Sequence, residues 1–347
     1  MKKTLISATV ASVIALASSS AMAAGPDIYG RIDVAATHTQ TKGSLQTSTS
    51  GVQDGGTYFE NNFSHIGFKG TEKLNENMDV LYQMEFGVDN MGANKASSPF
   101  NARNTFLGLR TNFGTALVGR NDPVFKQTEG SVDVFGNTSA DMDRLVAGQG
   151  RVGDGLWYYS PKIADLVTLN ATYLMKSNQV VARGRTQYAL SATLGDAKLK
   201  MHNFYVATGL NKAINNVDAY RFVGQMKLAD FTLGGLYQHS KSATLNNLKG
   251  SSYIASIKYN LNGVNLKAQY GYDGAGLGNY AKNLGLQNKD NSDFNINQMD
   301  FGADYKLAKS TMIYGQYSFY QGHYKEVNTK VDLKDDNVFS FGVRYDF

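Results

Sequence analysis

The sequence predicts an all-β fold, a 16-stranded antiparallel transmembrane β-barrel with short periplasmic turns and long extracellular loops. Three observations lead to this prediction. Apolar and polar residues alternate with period two, short and long connections follow each other in strict turn, and the last segment is an apolar strand with an aromatic final residue. Because only every second residue of such a strand faces lipid, the chain needs no long apolar run.

The chain begins with a pattern typical of a secretory signal. Two lysines precede an apolar stretch at residues 5–17, and a small-residue cleavage motif follows at residues 21–23. The apolar stretch is too short for a membrane-spanning helix, which needs about 20 residues. We therefore expect residues 1–23 to be cleaved and residues 24–347 to form a single barrel domain.

Sixteen segments carry the period-two alternation that places one set of side chains on each face of a strand. Leu266 and Tyr270, for example, alternate with Lys267 and Gln269. The predicted strands are 27–39, 62–73, 78–87, 101–111, 115–120, 154–160, 167–175, 186–195, 198–208, 218–228, 231–240, 251–261, 264–273, 296–307, 311–321 and 337–347. Trp157 and the tyrosines near strand ends are expected in the aromatic girdles of a membrane barrel.

The connections between these strands fall into two classes. Seven are short and lie at 75–77, 112–114, after Pro161, and at 196–197, 229–230, 262–263 and 308–310. Eight are long and polar and lie at 40–61, 88–100, 121–153, 176–185, 209–217, 241–250, 274–295 and 322–336. A transmembrane barrel sorts its connections in this way, whereas a soluble sandwich or propeller does not. Strict alternation therefore favours the membrane barrel.

Several short motifs occur in a fixed order along the chain. They are 28–33 (Ile-Tyr-Gly-Arg-Ile-Asp), 64–70 (Ser-His-Ile-Gly-Phe-Lys-Gly), 82–86 (Tyr-Gln-Met-Glu-Phe), 113–121, 150–152 (Gly-Arg-Val), 157–162 (Trp-Tyr-Tyr-Ser-Pro-Lys) and the terminal strand ending in Phe347. In number and order they resemble the trimeric general diffusion porins of Gram-negative outer membranes. The resemblance implies a homotrimer in the outer membrane and a third long loop folded into the lumen. It also implies that Phe347 is the signal read by the outer-membrane assembly machinery.

The third long connection, 121–153, is the longest and is net acidic. Its carboxylates are Asp122, Glu129, Asp133, Asp141 and Asp143, against the basic Lys126 and Arg144. The resemblance makes this connection the constriction loop. An acidic loop opposite a basic wall would set a transverse field across the pore. The alternative interpretation is that these carboxylates are solvated loop charges.

The basic wall is predicted from the polar faces of the strands together with the resemblance. Its candidate residues are Arg31, His65, Lys69, Arg103, Arg120 and Arg151. The arginines at 31, 103 and 151 match the basic cluster of the family, but His65 stands where that cluster usually has another arginine. The wall therefore carries one permanent positive charge fewer. Lys69 and Arg120 either belong to the basic wall or are only polar residues that line the water-filled lumen.

The sequence offers no evident site for catalysis or for a cofactor. The chain has no cysteine, which excludes thiol chemistry and cysteine-ligated metals. Its five histidines lack metal-ligand spacing, and residues 290–293 form half a calcium loop without the closing glutamate. The charges are too scattered for a nucleic-acid footprint. We expect no enzymatic activity, no metal site, no cofactor and no nucleic-acid partner.

The predicted function is that of an outer-membrane porin, a water-filled channel for passive diffusion of ions and small hydrophilic solutes. Its surroundings would be outer-membrane lipids and lipopolysaccharide. A substrate-selective porin is one alternative, because the loops 40–61 and 274–295 are long enough to hold a binding site. A plugged adhesin or structural barrel is another, because loop lengths do not exclude it.

Overall fold

The computed structural model describes residues 25–46, 55–88, 98–176 and 184–347. The predicted signal sequence, residues 1–23, lies outside these ranges. Within them, no helix has both the length and the apolar character needed to cross a bilayer.

The described residues form one closed antiparallel sheet of eighteen strand segments. These are β1 (Asp27–Thr39), β2 (Gly56–Asn61), β3 (His65–Asn75), β4 (Met78–Val88), β5 (Phe100–Thr111), β6 (Gly114–Asn121), β7 (Val152–Tyr159), β8 (Val167–Leu174), β9 (Tyr188–Gly195), β10 (Phe204–Lys212), β11 (Val217–Leu228), β12 (Phe231–Ser242), β13 (Lys249–Leu261), β14 (Val264–Asp273), β15 (Asn291–Lys306), β16 (Thr311–Glu326), β17 (Thr329–Asp332) and β18 (Asp336–Asp346). Adjacent barrel strands pair antiparallel, and β1 pairs with β18 to close the barrel.

The eighteen segments make sixteen barrel strands. Both β2 and β3 pair with β1, so together they occupy one place in the barrel. Both β17 and β18 pair with β16 and occupy another. The predicted 16-stranded antiparallel barrel is confirmed.

Four predicted strand limits are wrong. The second barrel strand begins with β2 at Gly56 rather than at 62 and bends at Phe63, where φ is 66°. The strands β15 and β16 each reach five residues further toward the long loops than predicted. The strand β10 begins at Phe204 rather than at 198.

The late start of β10 has a local cause in Asp196. Its carboxylate accepts hydrogen bonds from the backbone N–H groups of Lys198, Lys200 and Met201 at 2.7–2.9 Å. These bonds lower the pKa of Asp196 to about 2. They also close a turn over residues 196–203, where two residues were predicted.

The alternation of the sequence reappears as alternation of exposure. On β18, Phe339 and Phe341 are 55% and 60% exposed, whereas Ser340 between them is 6% exposed. Polar side chains such as Gln269 and Asp300 are buried on the inner face. An apolar outer face with a polar inner face suits a barrel surrounded by lipid, because closure leaves no unpaired strand edge.

Aromatic side chains occur on both faces. On the outer face of β11–β13, the rings of Tyr220, Tyr237 and Tyr253 lie side by side, with centroids 6.0 and 5.2 Å apart. Trp157 is not among them. It is fully buried on the inner face, and its indole Nε1 donates to the carbonyl of Asp122 at 2.9 Å. The predicted girdle position of Trp157 is wrong.

In their described parts, the long connections contain four short helical turns and an apolar core of their own. The turns are α1 (Val124–Gln127), a 3₁₀ turn (Met142–Arg144), a second 3₁₀ turn (Ile214–Asn216) and α2 (Asn279–Asn283). Apolar residues from several of these connections, including Leu145, Leu248 and Tyr280, are at most 1% exposed and pack with inner-face residues of β13 and β15–β18. Part of the barrel interior is therefore filled at the long-loop end.

Candidate functional site

The connection between β6 and β7, residues 122–151, packs along the inner face of the barrel from its first turn. Phe125 in α1 is fully buried. The guanidinium of Arg221 on β11 lies 4.3 Å from the centre of the Phe125 ring. The same guanidinium donates to the carbonyls of Phe125 and Ala147 at 3.3 and 3.4 Å. One inner-face arginine thus holds both the start and the end of this connection.

The middle of the connection is held by amide and hydroxyl groups of the wall. Ser256 on β13 donates to the carbonyl of Val132 at 2.5 Å. Gln298 on β15 donates to the carbonyl of Ala140 at 2.9 Å. These carbonyls have no partner in a helix or sheet, so the wall satisfies groups that would otherwise stay unpaired when buried.

Two of the predicted loop carboxylates also fold the loop on itself. Asp133 accepts hydrogen bonds from the backbone N–H groups of Phe135 and Met142 at 2.8 and 3.1 Å. Asp141 accepts from those of Asn137 and Asp143 at 2.6 and 2.7 Å. Burial raises the pKa of Asp133, with Asp141 adding to the rise. Both carboxylates therefore bind backbone amides of the loop in addition to carrying charge.

The other three carboxylates have different surroundings. Asp122 lies 3.2 Å from the ammonium of Lys126 and 3.6 Å from the guanidinium of Arg151. Burial raises the pKa of Glu129 to about 7, against the opposing effect of Lys126. Burial also raises the pKa of Asp143 to about 6, although Arg144 lies 2.7 Å away. Two of these groups therefore change charge near neutral pH.

Two of the predicted basic residues, Arg103 and His65, lie beside one carboxylate, Glu85 on β4. Arg103 Nε lies 2.6 Å from Glu85 Oε1, and His65 Nε2 lies 3.8 Å from Oε2. Tyr29 donates its hydroxyl to Oε2 at 2.9 Å. Glu85 is therefore the direct partner of Arg103, His65 and Tyr29.

A bulge in β5 places Arg103 in this group. Met84 pairs with Thr105 and Phe86 pairs with Ala102, so both residues 103 and 104 stand opposite the single residue 85. A bulge of this kind redirects side chains locally. Arg103 therefore reaches Glu85, while Asn104 accepts a hydrogen bond from Arg151 Nε at 2.6 Å.

The remaining predicted wall residues lie at the edges of this group. Arg31 is directly opposite His65 in the β1–β3 register, and its guanidinium lies 2.7 Å from Asp346. The ammonium of Lys69 lies 4.9 Å from the centre of the Tyr29 ring. Arg120 pairs in register with Thr105, and its Nε is buried without a hydrogen-bond partner among the described residues.

Charges of both signs line one cavity of about 800 Å³ inside the barrel. Its acidic lining residues are Glu129, Asp133, Asp141 and Asp143, and its basic ones are Lys126, Arg151 and Lys282. The structure thus places four of the five predicted acidic residues, and one of the six predicted basic residues, around the same space.

Sequence reasoning missed three basic residues that matter here. Arg221 alternates with the exposed Phe222, so strand parity already placed it on the inner face. Arg344 on β18 forms an ion pair with the fully buried Asp33 at 2.7 Å. Its position in the alternation of its strand likewise placed it on the inner face. Lys282 lies in a long connection, where no periodicity exists to predict its position.

Within the described ranges, no three histidine, cysteine or acidic side chains come close enough to form a metal site. The half calcium loop at 290–293 contributes Asp293 to an ion pair with Lys325 at 2.9 Å.

Comparisons with known proteins give consistent results. A family model described as Gram-negative porin matches residues 8–325. The major outer membrane protein P.IB of Neisseria sicca is 24% identical over 345 residues, covering 90% of this chain and 91% of the relative. The anion-selective porin from Comamonas acidovorans has the same fold, with a TM-score of 0.68, 18% identity, and 93% and 99% of the two chains covered. The trimer form of OmpT of Vibrio cholerae aligns with a TM-score of 0.62 and 16% identity, covering 93% and 99%.

Proposed function

Because this chain belongs to the Gram-negative porin family, we propose that it is a weakly selective diffusion channel whose narrowest level lies at the connection 122–151. The protein is an outer-membrane porin, and its barrel is the channel. The proposal concerns where that channel narrows and what it discriminates.

The observation that carries the proposal is the cavity of about 800 Å³ lined by charges of both signs. Carboxylates of the connection line it together with Lys126, Arg151 and Lys282. Opposed charges at a narrow level orient dipolar water and solutes and act on anions and cations in opposite senses. No covalent step is needed for passage, so we infer a channel and not an enzyme.

Selectivity is modest because most of these charges are partly neutralised. Glu85 pairs with Arg103, and Asp122 pairs with both Lys126 and Arg151. The raised pKa of Glu129, about 7, removes part of its negative charge at neutral pH. The relative from Comamonas acidovorans is described as anion-selective. We propose a weaker preference here, because Arg31, Arg103 and Arg151 each have a carboxylate within 3.6 Å.

We also propose that the protein is a homotrimer with one pore in each subunit, since the OmpT neighbour is described in a trimer form. Outer-membrane lipids and lipopolysaccharide would surround it. Phe347 would serve as the assembly signal, and it closes the barrel by exchanging two backbone hydrogen bonds with Gly30, at 2.9 and 3.1 Å.

The decisive test is single-channel recording of the refolded protein in a planar lipid bilayer under a salt gradient. We expect stepwise openings that close in three equal steps under voltage, with the small reversal potential of a weakly selective pore. Polyethylene glycols of increasing size give the cut-off. A silent bilayer from folded protein would overturn the channel proposal in favour of a plugged barrel. Saturation of the current by one solute class would favour a substrate-selective porin.

A further inference from the structure

The connection between β14 and β15, residues 274–290, also lies inside the mouth of the barrel. Tyr280 in α2 is 1% exposed and stacks on the inner-face Tyr320 of β16, with ring centroids 4.5 Å apart and planes within 9°. If this connection were a surface loop around a water-filled mouth, Tyr280 would be exposed to solvent. Its burial shows that this connection covers part of the lumen.

Contacts to the first long connection fix the far side of α2. Asn283 donates to the carbonyls of Gly43 and Leu45 at 3.0 and 3.1 Å. A Cβ on Gly43 would lie 2.5 Å from the Tyr280 ring, so only glycine allows this approach. The loops 40–46 and 274–290 are therefore packed together without a layer of water.

Contacts to the 122–151 connection fix the other side of α2. Asn279 donates to Asp143 at 3.0 Å. A Cβ on Gly278 would lie 2.2 Å from the carbonyl oxygen of Arg144. The Arg144 guanidinium, 3% exposed, donates to the carbonyl of Leu45 at 2.6 Å. Three connections thus meet at one buried arginine.

The base of the 274–290 connection is held by Asp273, which is fully buried at the end of β14. Its carboxylate accepts backbone N–H groups of Ala275, Gly276 and Gly278 at 2.8–3.4 Å. Gln287 donates to two carbonyls of the same segment at 3.0 and 3.1 Å. With both ends and the middle fixed, α2 has a defined position relative to the channel.

Lys282 is the charged residue that this arrangement presents to the channel. It lies between the fully buried Ala281 and the anchored Asn283, is itself exposed, and lines the 800 Å³ cavity. The carboxylates of Glu129, Asp133, Asp141 and Asp143 line the same cavity. Its backbone is thus held in place while its side chain lines the cavity.

We propose that residues 274–290 form a second constriction loop and that Lys282 is a selectivity-determining residue of the channel. This inference rests on the channel function proposed above. An apolar core fills one side of the mouth, so ions must use the space that remains. That space includes the cavity lined by Lys282, whose positive charge favours anions. A 16-stranded barrel without such a core leaves its whole lumen open.

The size of the effect follows from Coulomb's law. A unit charge about 6 Å from a passing ion in water, screened at physiological salt, changes the local concentration of each ion by about 1.7-fold in opposite directions. Removing the charge should therefore lower the anion-to-cation permeability ratio by about three-fold. Replacing it with a negative charge should lower the ratio by about nine-fold.

The test uses the absence of native cysteine. A Lys282→Cys channel is recorded in a bilayer under a salt gradient before and after adding a methanethiosulfonate reagent. The trimethylammonium-ethyl reagent should restore the wild-type reversal potential, and the sulfonato-ethyl reagent should shift it further toward cations. Because each channel is compared with itself, an effect on folding does not enter the comparison.

Lys289→Cys is the matched control, since Lys289 is exposed on the same connection but does not line the cavity. Neither reagent should change its reversal potential. If Lys282→Cys channels conduct but neither reagent changes their reversal potential, this inference is overturned while the channel function stands. A silent wild-type bilayer would instead overturn the channel function.

Discussion

Arg221 is expected to hold the 122–151 connection in place, so Arg221→Ala should release it. The substitution removes two hydrogen bonds to the carbonyls of Phe125 and Ala147 and the contact with the Phe125 ring. Hydrogen bonds from a charged group are worth about 1.5–3 kcal/mol each, and those of 3.3–3.4 Å lie at the weak end. After allowing for the cost of burying the guanidinium, we expect the docked state to lose about 3 kcal/mol, which is a rise of about 100-fold in the undocked population.

Two readouts follow this release. Single-channel currents of the variant should flicker, because the connection moves within the conducting path. Trp157, the one tryptophan of the chain, donates to the carbonyl of Asp122 at the start of the connection, so acrylamide should quench its fluorescence more strongly. Arg110→Ala is the control, because its exposed pair with Asp79 is worth at most about 1 kcal/mol. Quiet currents and unchanged quenching in Arg221→Ala would refute the reasoning.

Three further variants test separate parts of the site. Glu129→Gln should weaken the pH dependence of the reversal potential between pH 6 and 8, because the wild-type carboxyl, with a pKa of about 7, loses its proton in that range and favours cations. Glu85→Gln should raise the anion-to-cation permeability ratio about three-fold, because it leaves Arg103 unneutralised. Asp336→Ala removes the acceptor of five hydrogen bonds from residues 39–44 and should lower the free energy of unfolding by about 3–5 kcal/mol, measured by loss of β-sheet circular dichroism in urea.

Each of these variants has a contradicting result. A wild-type reversal potential that does not change between pH 6 and 8 would show that Glu129 does not titrate there. Asp79→Asn, at an exposed pair outside the cavity, should leave the permeability ratio unchanged, and an equal shift in it and in Glu85→Gln would point to a general surface effect. An Asp336→Ala protein as stable as wild type would mean that water replaces the lost acceptor.

The strands were predictable because their signal is local. A residue such as Phe341 is apolar because it faces lipid and Ser340 is polar because it does not, so alternation alone places both. The start of β10 was not predictable in the same way. Residues 198–203 carry an alternation of their own, but the carboxylate of Asp196 binds amides up to five residues ahead and holds that stretch in a turn.

Site residues were predictable only where inward-facing and outward-facing residues alternate regularly along a strand. Arg31 and His65 were expected on the inner face, and they stand opposite each other on β1 and β3. The placement of Arg103 depends on a bulge, which shifts parity by one residue and leaves no mark in a single sequence. The inward position of Lys282 depends on three loops packing together, and such long-range contacts have no period to detect.

Counting charges on the cavity wall is a poor guide to the ion preference, because the charges differ in how far they are compensated. Asp122 offsets both Lys126 and Arg151, which leaves an excess of positive charge at that point. Lys282 adds a further positive charge to the cavity wall. Among the carboxylates that line the cavity, Glu129 changes its charge most over this range, because its pKa of about 7 leaves it mostly protonated at pH 6 and mostly ionised at pH 8. The channel should therefore favour anions at pH 6 and lose that preference by pH 8, while Lys282→Gln should bring the balance point to a lower pH. Reversal potentials measured at both pH values in the two proteins decide the matter, and a preference for anions that grows with pH would contradict this account of the site.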